Sequence, residues 1–162
     1  MVNILFVCSA NRFRSVIAAV HLRSLLKKDE STSDWQVSSA GTWAKNGLPP
    51  IPQALRFAAS RNMDIGDVRS QDVSREILTT ATLVIVMTES QRESILIEFP
   101  DADGKVFLLS EVCEDQVFDI PDPFHDLLQL GDVEMLVLGE KRDHLRVGVP
   151  EVLADEAVHE IL

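Results

Sequence analysis

The sequence predicts an α/β fold of the doubly wound type, in which helices cover both faces of a parallel sheet. Short apolar runs of strand length alternate with stretches that place apolar residues at helical spacing. Strand–helix–strand units of this length pair their strands in parallel through right-handed crossovers. The chain has 162 residues, of which 46% are apolar, and this suits one globular domain. We therefore assign residues 1–162 to a single domain.

The first strand–helix–strand unit begins at the N-terminus. Residues 2–7 form a short apolar run that is typical of a buried strand. Residues 16–28 carry apolar side chains at helical spacing, which predicts a helix, and a polar loop follows it. Residues 35–40 are predicted to form the second strand, which ends in a turn at Gly41 and Thr42.

The later elements continue this alternation. A loop rich in Pro and Gly, residues 43–50, separates them from the first unit. The spacing of apolar residues predicts, in chain order, a helix at 52–62, a helix at 74–80, a strand at 82–87, a helix at 89–99 and a strand at 105–109. Residues 126–138 and 152–162 are predicted to be short helices, with Gly131 interrupting the first of them.

The composition disfavours several classes of function. The formal net charge of −11 argues against nucleic acid and anionic membrane surfaces as partners, because such contacts need clustered Lys and Arg. No apolar run reaches transmembrane length, and residues 1–3 lack the basic start of a signal peptide. The chain has two cysteines, Cys8 and Cys113, so a secreted disulfide scaffold is disfavoured and a cytoplasmic location is expected. We expect no metal and no cofactor, because no cluster of His, Cys and carboxylates suggests one.

The loop between the first predicted strand and helix carries the clearest chemical pattern, Cys8 followed six positions later by Arg14. A helix start offers unpaired N–H groups and the positive end of the helix dipole, so such a loop can bind an anion. The same field favours the thiolate of Cys8, and the planar fork of Arg14 can hold two phosphate oxygens. Ser15 can donate its hydroxyl to the sulfur or cap the helix. The pattern predicts a cysteine that attacks phosphorus, whereas a lone cysteine ending a buried strand is more often a small core residue.

The pattern Cys-x5-Arg-Ser resembles the low-molecular-weight protein tyrosine phosphatase family, including its protein arginine phosphatase branch. Three later segments resemble the same family in the same order: 39–42, 83–90 and 119–124. The resemblance covers about residues 2–125, and the chain diverges from about residue 126. It implies a three-layer α/β/α sandwich whose four-stranded parallel sheet has the strand order 2-1-3-4. Because ligands of such sheets bind beyond the carboxyl ends of the strands, Cys8, Ser39 and Thr88 are expected at one edge.

The resemblance also implies a function. The chain would hydrolyse phosphotyrosine or a similar aryl phosphate, in a protein or a small molecule, with the oligomeric state left open. Cys8 would form a phosphocysteine, Arg14 would bind the phosphoryl group, and Asp122 would act as general acid and then general base. The flanking Pro121 and Pro123 would stiffen the loop of Asp122. The residues implied in substrate binding are Ser9, Ala10, Asn11, Arg12, Phe13, Ser15, Ser39, Trp43 and Phe124.

For four of these residues we expect a particular conformation or contact. Asn11 is expected to adopt a left-handed conformation, which Asn tolerates better than most residues, and Ser39 to hydrogen-bond it. Trp43 and Phe124 would form aromatic walls of the substrate slot, or would simply pack.

The loop departs from the family pattern at Ala10, Phe13 and Val16, where relatives usually have Gly, Cys and Pro. If residue 10 needs a positive φ, alanine costs about 1 kcal/mol relative to glycine. Phe13 removes the second cysteine with which many relatives form a protective disulfide. Val68 stands where many relatives have a histidine that orders the loop. We therefore expect a less rigidly ordered loop than in those relatives.

Arg12 is the departure that bears most on substrate choice. In the family this position helps to select between phosphotyrosine and phosphoarginine, and small polar residues accompany arginine phosphatases. A guanidinium pointing into the slot, about 7 Å from the phosphate, is worth about 2 kcal/mol per anionic charge at an effective dielectric constant of about 20. It would favour doubly acidic substrates and disfavour phosphoarginine. A guanidinium pointing to solvent would contribute little, and the sequence leaves both orientations open.

Two alternatives remain open: a phosphoarginine phosphatase, and a phosphate-binding pseudo-phosphatase with little turnover. An arsenate reductase of this fold is disfavoured, because the thioredoxin-linked type needs two further cysteines and only Cys113 is available.

Overall fold

The computed structural model describes residues 1–28, 30–114 and 116–122, and within these ranges strands and helices alternate as predicted. The elements are β1 (Val2–Cys8), α1 (Arg14–Leu26), a 3₁₀ turn (Glu30–Thr32), β2 (Trp35–Gly41), α2 (Pro52–Ser60), α3 (Arg75–Thr80), β3 (Leu83–Val86), α4 (Glu89–Glu98), a 3₁₀ turn (Pro100–Ala102), β4 (Val106–Leu108) and α5 (Leu109–Glu114). None of the helices in these ranges is long and apolar enough to cross a membrane.

The four strands form one parallel sheet in the order β2-β1-β3-β4, which confirms the predicted fold class and strand order. β1 and β2 pair along their whole length, so that Cys8 lies beside Gly41 at the carboxyl end of the sheet. β3 ends one residue before Met87 at the same edge. The ends of three neighbouring strands therefore meet where the sequence places its candidate nucleophile.

Side chains along β1 alternate between the two faces of the sheet and are buried on both, as expected for a central parallel strand. Ile4, Phe6 and Cys8 pack in a cluster with residues of α1 and α5. Leu5 and Val7 pack in a second cluster with residues of α3 and α4. Helices thus cover both faces, which gives the three-layer arrangement.

The helix α5 was not predicted, because the sequence suggested that Leu109 ends a strand. In the structure the strand stops at Leu108, and α5 begins immediately. The carboxylate of Glu111 accepts a hydrogen bond from the Leu108 N–H at 2.7 Å, which satisfies a backbone donor at the helix start. The predicted helices at 126–138 and 152–162 lie outside the described residues, and so does Phe124.

Candidate active site

The candidate nucleophile lies where β1 gives way to α1. Cys8 is the last residue of β1, and its side chain is buried. Its sulfur lies 3.0 Å from the hydroxyl oxygen of Ser15, which belongs to the first turn of α1. We call residues 8–15 the phosphate loop. Asn11 already donates to the Ser15 oxygen, at 3.0 Å, so the Ser15 proton can point toward the sulfur.

Asn11 fixes the shape of the phosphate loop. Its φ of 52° confirms the predicted left-handed conformation. Its amide nitrogen also donates to the Ser39 hydroxyl at 2.9 Å, which confirms the predicted contact. Its side-chain oxygen accepts a hydrogen bond from the backbone N–H of Gln71 at 2.9 Å. The buried Asn11 side chain therefore forms hydrogen bonds with α1, with β2 and with the backbone of Gln71. Val68, which stands where many relatives have a histidine, adds no polar group to these contacts.

Gly41 lets the end of β2 approach the phosphate loop closely. The residues that follow it donate backbone hydrogen bonds to the loop, from Thr42 to the Cys8 carbonyl at 3.0 Å and from Trp43 to the Ser9 carbonyl at 2.9 Å. A Cβ atom at Gly41 would clash with the Ser9 carbonyl oxygen and lie 2.9 Å from the Asn11 nitrogen. Only glycine fits here, because the colliding atoms belong to backbone.

Arg14 connects the phosphate loop to the distant segment 119–122, which we call the acid loop. One terminal nitrogen of its guanidinium donates to the Ile120 carbonyl at 2.8 Å, and the other donates to the Asp122 carboxylate at 3.0 Å. The Arg14 side chain is 5% exposed, and that of Asp122 is 36% exposed. The structure thus brings together two of the predicted catalytic side chains, 108 positions apart in the sequence.

The two carboxylates of the acid loop have different contacts. Asp119 accepts a hydrogen bond from the backbone N–H of Glu89 at 2.7 Å, at the start of α4. The backbone N–H of Ile120 donates to the Met87 carbonyl at 2.7 Å. These two bonds attach the acid loop to the carboxyl end of β3. Asp122, which follows them, is then held beside Arg14.

Gln91 is a site residue that the sequence analysis missed. It is buried, and its amide nitrogen donates to the Ser9 hydroxyl at 3.1 Å. Its side-chain oxygen accepts from the backbone N–H groups of Met87 and Thr88 at 2.9 and 3.2 Å. Thr88 and Gln91 form a capping box at the start of α4. The spacing Thr-x-x-Gln before an apolar run was the signal that could have identified it.

The remaining loop residues differ from expectation. Ala10 does not adopt a positive φ, so the predicted cost of about 1 kcal/mol does not arise. The side chain of Phe13 is buried edge-to-face against Phe57, with ring centroids 6.0 Å apart. It therefore cannot contact a substrate, and Phe13 can offer only its backbone. Trp43 is 83% exposed, which rules out the alternative that it simply packs.

Arg12 lies against the loop that follows β2. Its Nε donates to the Pro49 carbonyl at 2.8 Å, and its own carbonyl accepts from Ile51 at 3.3 Å. The side chain is half-buried and held in place by this bond, rather than extended into solvent. The guanidinium therefore adds a fixed positive charge beside the phosphate loop.

The two cysteines have different surroundings. Both are free thiols. Burial, together with a smaller effect of the charge of Glu114, raises the pKa of Cys113 to about 12. Cys113 therefore stays a protonated, poorly nucleophilic thiol near neutral pH. In the described ranges, no three His, Cys, Asp or Glu side chains lie close enough together to hold a metal ion.

Comparison with known proteins gives consistent matches. A family model described as "Low molecular weight phosphotyrosine protein phosphatase" matches residues 3–132. The chain is 34% identical over 126 residues to the "Probable low molecular weight protein-tyrosine-phosphatase EpsP" of Ralstonia nicotianae, which covers 78% of this chain and 81% of that protein. It is 31% identical over 122 residues to the "Protein-arginine-phosphatase" of Geobacillus stearothermophilus, which covers 75% and 78%. Among solved structures it resembles YwlE arginine phosphatase, in a cysteine-to-serine mutant with a phosphorylated active site serine. That match has a TM-score of 0.75 and 26% identity, and it covers 83% of this chain and 90% of the other.

Proposed function

Because the chain belongs to the low molecular weight phosphotyrosine protein phosphatase family, we propose that it hydrolyses phosphotyrosine in proteins through a phosphocysteine on Cys8. Membership of this family makes it a hydrolase. The observation that carries the proposal is the contact between Arg14 and Asp122 at 3.0 Å. This contact joins the guanidinium of Arg14, which can bind an anion, to the Asp122 carboxyl group from a distant part of the chain. Arg14 is also next in sequence to Ser15, whose hydroxyl contacts the Cys8 sulfur.

In the first step the phosphoryl group binds to Arg14 and to the backbone N–H groups of the phosphate loop. The Cys8 sulfur attacks phosphorus, and an S–P bond forms as the P–O bond to the tyrosine oxygen breaks. Asp122 gives its proton to that oxygen, so that tyrosine leaves as a neutral phenol. Asp122 can take this role because a bound phosphoryl group competes for the guanidinium N–H donors that otherwise hold its carboxylate.

In the second step the Asp122 carboxylate takes a proton from a water molecule, and the water oxygen attacks phosphorus. The S–P bond breaks, inorganic phosphate leaves, and the thiolate of Cys8 is restored. Ser15 supports both steps, because its hydroxyl oxygen lies 3.0 Å from the sulfur and can donate a hydrogen bond that stabilises the negative charge. The related YwlE mutant, which has a phosphorylated active site serine in place of a cysteine, supports a covalent intermediate on Cys8.

The position of Arg12 favours phosphotyrosine over phosphoarginine. Phosphoarginine carries a guanidinium group at the reacting end of its side chain, and this group would approach the cationic Arg12. For two such charges about 7 Å apart at an effective dielectric constant of about 20, the repulsion would cost about 2 kcal/mol before screening. A phosphorylated tyrosine ring has no positive charge, and acidic neighbours in its protein would be attracted.

Phosphoarginine hydrolysis is the second candidate, because the chain is 31% identical to a protein-arginine-phosphatase. Replacing the cationic side chain of Arg12 distinguishes phosphoarginine hydrolysis from phosphotyrosine hydrolysis. Arg12→Thr should raise the ratio of phosphoarginine to phosphotyrosine turnover, measured on two peptides that differ only in the phosphorylated residue. Arg12→Lys, which keeps the charge, is the control. An unchanged ratio in Arg12→Thr would remove the basis for the preference.

The central test is turnover of p-nitrophenyl phosphate and of a phosphotyrosine peptide. Cys8→Ser should abolish turnover, because serine lacks an ionised nucleophile near neutral pH. Cys113→Ala is the matched control and should retain wild-type rates, since the raised pKa keeps that half-buried thiol protonated. Comparable rates in Cys8→Ser and wild type would refute the mechanism. A wild-type protein that binds vanadate but turns over neither substrate would instead identify a pseudo-phosphatase.

A further inference from the structure

A second feature of the surface lies along the outer side of β2, apart from the Arg14–Asp122 pair. A groove of about 910 Å³ runs between the end of α1 and the segment 61–71, and Ser38 and Ser39 of β2 contribute to its lining. Six basic side chains line it, and we call it the cationic groove: His21, Arg23, Lys27, Lys28, Arg61 and Arg69.

The charge of this groove is opposite to that of the whole chain. Among the residues that the structure describes, five Lys and Arg residues line the groove, but only two Asp and Glu residues do, Asp64 and Asp67. The chain as a whole has a net charge of −11. Concentrating these positive charges in one groove creates a local field that attracts anions despite the acidic surroundings.

Two of the arginines are held in place by the backbone. Arg23 donates through Nε to the Val37 carbonyl at 2.8 Å. Arg69 donates through one terminal nitrogen to the carbonyls of Gly66 and Val68, each at 2.8 Å. These bonds use one of the five N–H donors of Arg23 and two of those of Arg69. Both groups are therefore positioned for a ligand without having lost their capacity to bind it.

Two side chains of the groove have pKa values that are lowered mainly by burial. Burial lowers the pKa of Arg23. Burial also lowers the pKa of His21, and the charge of Lys28 lowers it further. These groups are partly removed from water among other cations, and a bound anion would relieve that cost.

We propose that the cationic groove binds an extended, carboxylate-rich segment of another protein. Its volume is within the range of about 300–1,000 Å³ that is typical of ligand sites and is much larger than a single phosphate needs. A nucleic-acid duplex or an anionic bilayer would bring many charges against a chain of net charge −11, whereas a short segment brings only a few.

The cationic groove also adjoins the phosphate loop. Ser39 and Gln71 line the groove, and both contact Asn11. A segment bound there would therefore lie beside two of the residues that hold the loop. The proposal concerns binding alone and does not depend on the phosphatase reaction.

The test measures binding of a fluorescein-labelled, Glu-rich peptide of about ten residues, which spans about 33 Å when extended. A peptide with Gln in place of Glu is the probe control. At low salt the Glu peptide should bind and the Gln peptide should not. The double substitution Lys27→Glu and Lys28→Glu should weaken binding at least about tenfold, or about 1.4 kcal/mol. Arg69→Gln should weaken it less. Arg56→Glu, an exposed substitution on α2 outside the groove, is the matched control and should bind as wild type does.

Three results would overturn the proposal: no binding of the Glu peptide by wild type, equal weakening in Arg56→Glu, or equally tight binding of a DNA duplex of the same charge. Circular dichroism would establish that each variant is folded. Turnover of p-nitrophenyl phosphate, measured separately without peptide, reports only on the proposed reaction, so failure of one proposal is distinguishable from failure of the other.

Discussion

The phosphate loop and the acid loop contribute to the same candidate site but are built differently. Most side chains of the phosphate loop are buried, and the side chain of Asn11 is bonded to Ser15, Ser39 and Gln71. The acid loop is attached mainly through its backbone and through Asp119, while the Asp122 side chain is 36% exposed.

This difference matches the different roles of the two loops in the proposed reaction, which are charge stabilisation and proton transfer. A site that stabilises charge on a phosphoryl group gains most when its donors are fixed before the reaction, because no reorganisation is then needed. A group that transfers a proton to the substrate and then accepts one from water must change partners between steps. The buried network fits the first requirement, and the partly exposed carboxylate of Asp122 fits the second.

The largest expected effect comes from removing the acid and leaving its loop intact. Asp122→Asn should lower kcat by about 10²–10⁴, because the amide cannot donate an ionisable proton. The loss should be smaller for p-nitrophenyl phosphate, whose leaving group needs less protonation, than for phenyl phosphate. Steady-state kinetics with both substrates measure this. Asp119→Asn, which keeps the acceptor at the start of α4, is the control, and an equal loss in that variant would contradict the separate roles.

The next effect tests the rigidity of the phosphate loop. Gly41→Ala places a methyl group against the Ser9 carbonyl and the Asn11 nitrogen, so the loop must shift. We expect a destabilisation of about 1–3 kcal/mol, and up to about 10²-fold lower kcat if the loop is displaced by about 1 Å. Urea unfolding and kinetics measure the two effects.

Gly66→Ala is the matched control for this substitution. A Cβ at Gly66 would meet only the Asp64 side chain, at 3.3 Å, and its φ is not positive. It should therefore leave both stability and kcat near wild type. Wild-type activity in Gly41→Ala would show that the phosphate loop tolerates displacement.

The smallest effect tests how the acid loop is attached. Asp119→Ala removes the acceptor for the Glu89 N–H at the start of α4. Loss of such a cap typically costs about 1 kcal/mol, which thermal unfolding can measure. Because Ile120 keeps its own bond to Met87, kcat should fall much less than in Asp122→Asn. A loss of activity as large as that of Asp122→Asn would mean that Asp119 has a direct part in the reaction.

Local patterns in the sequence predicted most of the fold. The strand at residues 2–7 was found because burial on both faces leaves a continuous apolar run. The helix after residue 15 was found because its apolar residues recur at helical spacing. Helix α5 was missed because it is short and follows β4 with no intervening loop. At its start the Glu111 carboxylate accepts a hydrogen bond from the Leu108 N–H, and the spacing of apolar residues does not reveal such a bond.

The sequence by itself determined the phosphate loop and the alternation of strands and helices that predicts a parallel sheet, because each element is formed by residues close together along the chain. Cys8, Arg14 and Ser15 lie within one strand-to-helix connection, so their spacing is sufficient to place them together. Only the tertiary structure decided how distant residues hold that loop: Gln71 and Gln91 bond to it, Gly41 packs against it, and Phe13 turns away into the core. These outcomes depend on side-chain directions and on distances between separate elements, which a pattern of residue types does not specify.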